Sequence, residues 1–272
     1  MRKLMSCLVL FSVLLTACKK ESADDNPDTE TDIPETAPPV QKGITWNVST
    51  NIQGYQEALP ARYDSTTKKY PLLVFMHGVG EMGNGSTDLY KVANVAIPAL
   101  IKNKKFPPAF DVNGKSYSFI VLSPQCKNWP SALDINALIN YAVSKYRVDT
   151  TRLYVAGLSM GGGVTWETGA VYAQRLAAIV PICGASSPDD NRSKKIAQAS
   201  LAVWAFHNKN DSTVTYTNST GYVTKINGFG ANPPAKLTLW ETGGHDAWTK
   251  ATNPTFRENN MNIYEWMLQY HR

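Results

Sequence analysis

From Gly43 to the C-terminus, apolar runs of strand length alternate with longer stretches that carry their apolar residues every three or four positions. Few folds are open to a chain with that alternation. Parallel strands need long crossovers, the crossovers are helical, and the helices cover both faces of the sheet, so each buried strand reads as a nearly continuous apolar run. The runs are Thr45 to Val48, Tyr55 to Ala61, Leu72 to Met76, Ser118 to Leu122, Leu153 to Ala156, Ala178 to Ile182, Ala202 to Phe206 and Lys236 to Trp240. Between them the pattern predicts helices over Asp88 to Lys102, Ala132 to Lys145 behind a Ser131 cap, Met160 to Tyr172, Ser193 to Ala199, Tyr216 to Asn227 and Thr255 to Tyr270. The expected architecture is a mostly parallel eight-stranded α/β sheet with helices on both faces and no cap domain. At 272 residues and 43% hydrophobic content, the chain can bury one large core of this kind.

The N-terminus follows other rules. Arg2 and Lys3 precede the apolar run Cys7 to Leu15, and Leu15-Thr16-Ala17-Cys18 then brings small residues up to a cysteine, the layout of a secretory signal over residues 1–17. The run is shorter than the ~20 apolar residues of a spanning helix. The tetrad is similar to the bacterial lipobox, which makes Cys18 the expected lipidation site and the expected product an exported lipoprotein of the outer membrane, on its periplasmic or cell-surface face. Residues 18–42 hold seven acidic side chains and four prolines with almost no apolar ones, so a disordered linker is expected there and the folded domain over 43–272. The net charge of +5 comes with no Lys/Arg block, so no nucleic-acid partner is expected, and the domain is expected to be a monomer.

The chemistry is carried by Leu153-Tyr154-Val155-Ala156-Gly157-Leu158-Ser159-Met160-Gly161, a strand followed by G-x-S-x-G and a helix-forming stretch. A serine hydroxyl is a poor nucleophile unless a sharp turn exposes it beside a base, and the flanking glycines let strand and helix approach closely enough to make that turn. A glycine turn that merely packs helix on sheet would look similar, so the base decides the matter. Four histidines are present: His77, His207, His245 and His271. His271 is penultimate, while His77 and His207 follow strands where they can brace loops. His245, in ETGGHDAW beyond the last strand, stands in the order Ser, acid, His and is the expected base. The orienting acid should come from a strand end between the two. Asp211, five residues after the run ending at Phe206, is the expected one, with Asp189 and Asp190 as the alternative and Glu241 and Asp246 less well placed. Oxyanion stabilisation needs backbone N–H groups, expected from Met160 at the helix start and Val79 in HGVGEMG, with Gly80 close behind.

Together KKYPLLVFMHGVGEMG, FIVLSPQCKNWP, RLYVAGLSMGGG, IVPICGAS, WAFHNKNDSTV and GGHDAW resemble the bacterial α/β-hydrolases grouped around feruloyl and acetylxylan esterases, polyhydroxybutyrate depolymerases and small carboxylesterases. The resemblance implies the α/β-hydrolase fold, a Ser159-Asp211-His245 triad and hydrolysis of carboxylic esters through an acyl-enzyme, on feruloyl or acetyl groups of plant polysaccharides or on small esters. This sequence departs from the group at Asn208, where glycine is usual, a change expected to alter a turn and hardly to touch the chemistry. Other readings are a prolyl-oligopeptidase-type serine peptidase, which shares the triad order but usually carries a propeller domain for which this chain has no length, and a non-catalytic binding lipoprotein on a hydrolase scaffold.

No cofactor or metal is expected, since the histidines lack ligand spacing such as H-E-x-x-H. Cys126 and Cys183 follow strands three spacings apart in the usual order of this fold, ~14 Å, beyond the ~7 Å limit for a disulfide, so they are expected to be free. Trp129 and Trp248 fall in motif loops and are the expected aromatic contacts for a sugar or phenolic ring.

Overall fold

The structure, a computed structural model, describes residues 34–272. The expected signal sequence, Cys18 and most of the expected linker lie outside the described residues. Among the described residues ten strands occur: β1 (Val40–Thr45), β2 (Ile52–Leu59), β3 (Tyr70–Met76), β4 (Phe110–Val112), β5 (Lys115–Tyr117), β6 (Ile120–Cys126), β7 (Val148–Leu158), β8 (Ala178–Ile182), β9 (Ala202–Asn208) and β10 (Lys236–Trp240). The helices are α1 (Ala96–Lys102), α2 (Ala132–Lys145), α3 (Met160–Val171), α4 (Asp190–Gln198), α5 (Thr217–Gly228), α6 (Trp248–Ala251) and α7 (Ile263–Leu268). Eight strands form one sheet in the order β1-β2-β6-β3-β7-β8-β9-β10, with β1-β2 and β2-β6 antiparallel and the rest parallel. This is the α/β-hydrolase fold, and no cap insertion interrupts the described residues.

The period-two alternation of a strand sorts its side chains between two cores. Leu72, Val74 and Met76 of β3, with Leu153 and Val155 of β7, pack under α2, α3, α4 and α5. Leu73 and Phe75, with Tyr154, Ala156 and Leu158, face α1, the β4-β5 hairpin and α7. With apolar residues on both faces, the central strands could not alternate apolar with polar.

The chain leaves β3 toward β6 on one side and β7 toward β8 on the other. This reversal opens a crevice at the carboxyl ends of β3 and β7, where open α/β sheets bind ligands.

Several elements differ from expectation. The domain reaches back into the expected linker: β1 starts at Val40, and buried Glu35 accepts the Arg62 N–H at 2.9 Å. β1 is a half-exposed edge strand, so it lacks the apolar run that marks the others. The expected helix Asp88 to Lys102 is a 3₁₀ segment over Leu89–Asn94 and then α1, with Val95 extended between them. Pro98 is the reason, because in a continuous helix its ring would strike the Asn94 carbonyl. The expected helix Thr255 to Tyr270 shrinks to α7, since Asn259 and Asn260 take positive φ and Asn262 caps the helix with Glu265 at its third position. The β4-β5 hairpin was not expected; Asn113 and Gly114, both at positive φ, form its two-residue turn.

Ser131 caps α2 as expected, in a box completed by Asp134. The Asp134 carboxylate also accepts from Ser49 Oγ at 2.9 Å and Asn51 Nδ2 at 3.3 Å, tying the β1-β2 turn to the helix. Burial pushes this carboxyl up, but the Ser131 N–H and the Ser49, Asn51 and Ser131 side chains outweigh it and hold Asp134 below the usual aspartate range. Its stabilising contribution is therefore complete above the ordinary carboxyl value and disappears as the pH falls through the acid range. Asp134→Ala is expected to cost about 1–2 kcal/mol at pH 7. Urea unfolding at pH 7 and pH 3 checks this: the gap between wild type and variant should narrow at the lower pH.

Candidate active site

β7 runs straight into α3, and Ser159 is the residue between them, at φ 51° and ψ −116°. A serine held there costs about 1–3 kcal/mol, so the surroundings must enforce it. They do so with the backbone. Ser159 N–H donates to the Ile182 carbonyl of β8 at 3.0 Å, and its own carbonyl accepts from Gly163 N–H and Ala185 N–H at 2.9 Å each. Two glycines make the approach possible. A Cβ on Gly157 would lie 2.5 Å from the Gly161 carbonyl oxygen, and one on Gly161 only 2.2 Å from the Met76 carbonyl oxygen at the end of β3.

The base and acid come from loops beyond the next strands in the sheet. His245 Nε2 lies 2.8 Å from Ser159 Oγ, and its Nδ1 lies 2.7 Å from Asp211 Oδ2. The imidazole thus donates from Nδ1 to the carboxylate and leaves Nε2 to accept the serine proton, the tautomer general-base chemistry needs. Asp211 is fixed in turn, its Oδ1 accepting from Thr213 N–H at 2.8 Å and Val214 N–H at 2.9 Å. Burial pushes its carboxyl up, but the bonds from His245 and from the Val214 and Thr213 amides prevail and hold it below the usual aspartate range. The acid therefore stays ionised while the imidazole takes and returns a proton.

His207 lies beneath the acid, its Nε2 2.9 Å from the Val214 carbonyl and 3.3 Å from Asp211 Oδ2, its Nδ1 2.8 Å from Ser219 Oγ. Burial holds it below the usual imidazole range despite the carbonyl and carboxylate that favour its proton. It braces the acid loop, as expected.

His77 braces the loop after β3. Its Nδ1 donates to the Gly78 carbonyl at 2.6 Å and its Nε2 accepts from Cys126 N–H at 3.0 Å, while burial pushes the ring down to about 4. A Cβ on Gly78 would fall 3.7 Å from Ser159 Cβ, so this loop lies directly against the nucleophile. Gln125 completes the support: its buried amide donates to the carbonyls of Glu81 at 2.8 Å and Asp88 at 2.9 Å and accepts from Gly85 N–H at 2.9 Å. Glu81 Oε2 accepts from Gly78 N–H at 3.0 Å. Burial raises the Glu81 carboxyl against the pull of that bond. Sequence reasoning missed Gln125 and Glu81, whose partners lie far along the chain or on a turn without a recognisable pattern.

The alternative acids have other work. Asp189 caps α4 through Arg192 N–H, Asp190 pairs with Lys225, Glu241 pairs with Lys209, and Asp246 accepts from Thr249. Asn208 departs from expectation: its buried amide reaches the loop that carries His245, donating to the Gly244 carbonyl at 3.0 Å. Trp248 stands edge-on to the His245 ring at 5.4 Å between centroids. Trp129 is 54% exposed, on a loop held by the bonds of Lys127 N–H and Asn128 N–H to Asn51. Cys126 and Cys183 are both free and buried. Cys183 offers its sulfur within 4.8 Å of ligand atoms of Asp211 and His245. Burial pushes its thiol up to about 12, while Asp211 and His245 are bonded to each other in the proton relay.

A serine on a strand-to-helix elbow, with acid and base supplied in that order by later strand-end loops, defines a serine hydrolase of the α/β-hydrolase class. Within that class the chain belongs to the phospholipase/carboxylesterase family, whose model matches residues 63–251. It is 24% identical over 197 residues to the bifunctional acetylxylan esterase/xylanase XynS20E of Neocallimastix patriciarum, a match covering 72% of this chain and 26% of that protein. The chain thus spans about a quarter of that relative's length. Among solved structures, a thermostable esterase superposes with a TM-score of 0.65 at 25% identity, covering 86% of this chain and 63% of the other. The feruloyl esterase module from Clostridium thermocellum complexed with sinapinate superposes with a TM-score of 0.55 at 19% identity, covering 80% of this chain and 85% of that one, and shares the fold.

Gly161→Ala forces a methyl group into the Met76 carbonyl and is expected to cost at least about 3 kcal/mol by overpacking and backbone displacement. Thermal unfolding compares it with Gly228→Ala, where a Cβ meets nothing within 4 Å and stability should hold or rise.

Proposed function

We propose that this chain hydrolyses carboxylic esters through an acyl-enzyme on Ser159. The observation that carries the reading is the continuous relay from Ser159 Oγ through His245 to Asp211, with both hydrogen bonds at 2.8 Å or less. Ser159 attacks the ester carbonyl as His245 takes its proton. His245 then returns that proton to the leaving alcohol, and a water activated by the same imidazole releases the acid.

The oxyanion that forms is held by the N–H groups of Met160 and Val79. Met160 opens α3, so its N–H has no partner one turn earlier in the helix. The Gly78 N–H is committed to Glu81, which leaves Val79 as the next donor along the loop.

The substrate is an ester on a bulky carrier, a feruloyl or acetyl group on plant polysaccharide, with small esters also accepted. Three things support this. No insertion among the described residues covers the site. Val79, 50% exposed, offers apolar surface on the loop that lies against Ser159, and Trp129, 54% exposed, offers an aromatic face on the loop after β6. A relative and a neighbour of known structure are an acetylxylan and a feruloyl esterase. Trp129, exposed on the loop after β6, takes a sugar or phenolic ring of the carrier, and Trp248 stands beside His245, on the side where the alcohol leaves. We also propose that acyl chains on Cys18 hold the domain to the outer membrane, a reading that rests on the sequence of residues 2–18: the basic pair, the apolar run and Leu15-Thr16-Ala17-Cys18. Metabolic labelling with palmitate checks it: the label should appear on wild type and be absent from Cys18→Ser.

Ser159→Ala should abolish release of ferulate from methyl ferulate, of acetate from acetylated xylan and of p-nitrophenol from its acetate, with thermal stability unchanged or raised. Full activity in this variant would overturn the nucleophile, and cleavage of proline-containing peptides in preference to the esters would overturn the substrate class. Val79→Pro removes one N–H from a residue at the start of a 3₁₀ turn, where proline fits after an extended Gly78. It should lower kcat about 10²–10³-fold with little change in KM.

A further inference from the structure

The loop that carries the base is poorly supported by packing. Thr242 and Gly243 are exposed, Gly243 and Gly244 both have positive φ, and behind the loop lies a cleft of about 600 Å³ lined by Trp240, Gly243, Asp246 and Lys250 among others. What grips the loop is the segment bearing the acid. Asn208 Nδ2 donates to the Gly244 carbonyl at 3.0 Å, Gly244 N–H donates to Asn210 Oδ1 at 2.9 Å, and one residue further along each loop His245 Nδ1 meets Asp211 at 2.7 Å. The Asn208 amide also lies flat against Gly243, where an added Cβ would fall 2.5 Å from Nδ2. Asn208 is buried at the end of β9 with its edge on that cleft, while Asn210 is exposed, so the outer bond competes with water more than the inner one does.

We propose that Asn208 and Asn210 are positioning residues for proton transfer: with Asp211 they staple the His245 loop at three points and fix the height of Nε2 against Ser159. They touch no reacting atom. They act because general-base catalysis depends on a hydrogen-bond length, and a displacement of about 1 Å at the base can cost about a hundredfold in rate. A glycine-rich loop held only by the Asp211–His245 bond would let the imidazole swing with its own backbone.

The two amides work with opposite polarity, and that yields the test. With p-nitrophenyl acetate, Asn208→Ala is expected to lower kcat at least about tenfold while KM moves less than about twofold. Asn208→Asp should be no better, because a carboxylate cannot donate to the Gly244 carbonyl. Asn210→Asp keeps an acceptor for Gly244 N–H and should stay within about twofold of wild type, whereas Asn210→Leu should lose several-fold. Each variant is assayed well below its own unfolding midpoint, which separates positioning from loss of folded protein. Fluorophosphonate labelling of wild type, lost in His245→Ala, establishes the triad independently of the staple. An undiminished kcat in Asn208→Ala, a loss in Asn210→Asp equal to that in Asn210→Leu, or a loss that tracks unfolding would each overturn the proposal.

Discussion

Ser159 occupies a backbone conformation that serine avoids, and the centre of the molecule is arranged to keep it there. The restraint is not a side-chain contact. It is the pinning of one residue's two flanking peptide groups: the Ile182 carbonyl of β8 accepts the Ser159 N–H, and the amides of Gly163 and Ala185 donate to the Ser159 carbonyl. For those bonds to form, α3 must lie against β3 and β8 at backbone distance, and the sheet must run in the order that puts β3 and β8 on either side of β7. The two apolar cores supply the burial that makes this worthwhile. The nucleophile is thus a product of the whole sheet rather than of a local motif.

Around that point the titratable groups are arranged so that one of them moves a proton. His77 and His207 are buried, each with both ring nitrogens engaged, and burial disfavours their charged forms. They serve as fixed dipoles: one shapes the loop beside the nucleophile, the other supports the acid. Asp211 is kept charged by the bonds directed at it, in spite of its burial. The charged acid is the fixed counter-charge against which the His245 imidazole can take up a proton.

The triad was legible in the sequence for a simple physical reason. Few histidines exist, strand-end loops are where an open α/β sheet places chemistry, and chain order singles out His245 as the base while favouring Asp211 over Asp189 and Asp190 by its place after the neighbouring strand. The central strands were legible because burial on both faces leaves uninterrupted apolar runs. What escaped lies where those signals fade. β1 is a half-exposed edge, so it looked like the tether before it. Pro98 stood in plain sight inside an expected helix, and its clash with a preceding carbonyl, not hydropathy, decides the break at Val95. Asn113-Gly114 is a local turn signal that the alternation of larger elements overshadowed. Gln125 and Asn208 were not legible in any local way: their partners are at least 36 residues away, and only the assembled sheet brings them together.

The glycine contacts at the elbow also bear on how such an enzyme can change. Backbone packed on backbone leaves no side chain to shrink or rotate in compensation, so a substitution there has no nearby partner that could absorb it in a second step. The rim is the opposite. The side chains of Val79 and Trp129 are half exposed, on loops whose main chains are held by other bonds, so either side chain can change with little backbone consequence. Innovation in substrate and preservation of chemistry are thereby assigned to different atoms, one set free to vary singly and the other kept or lost as a block.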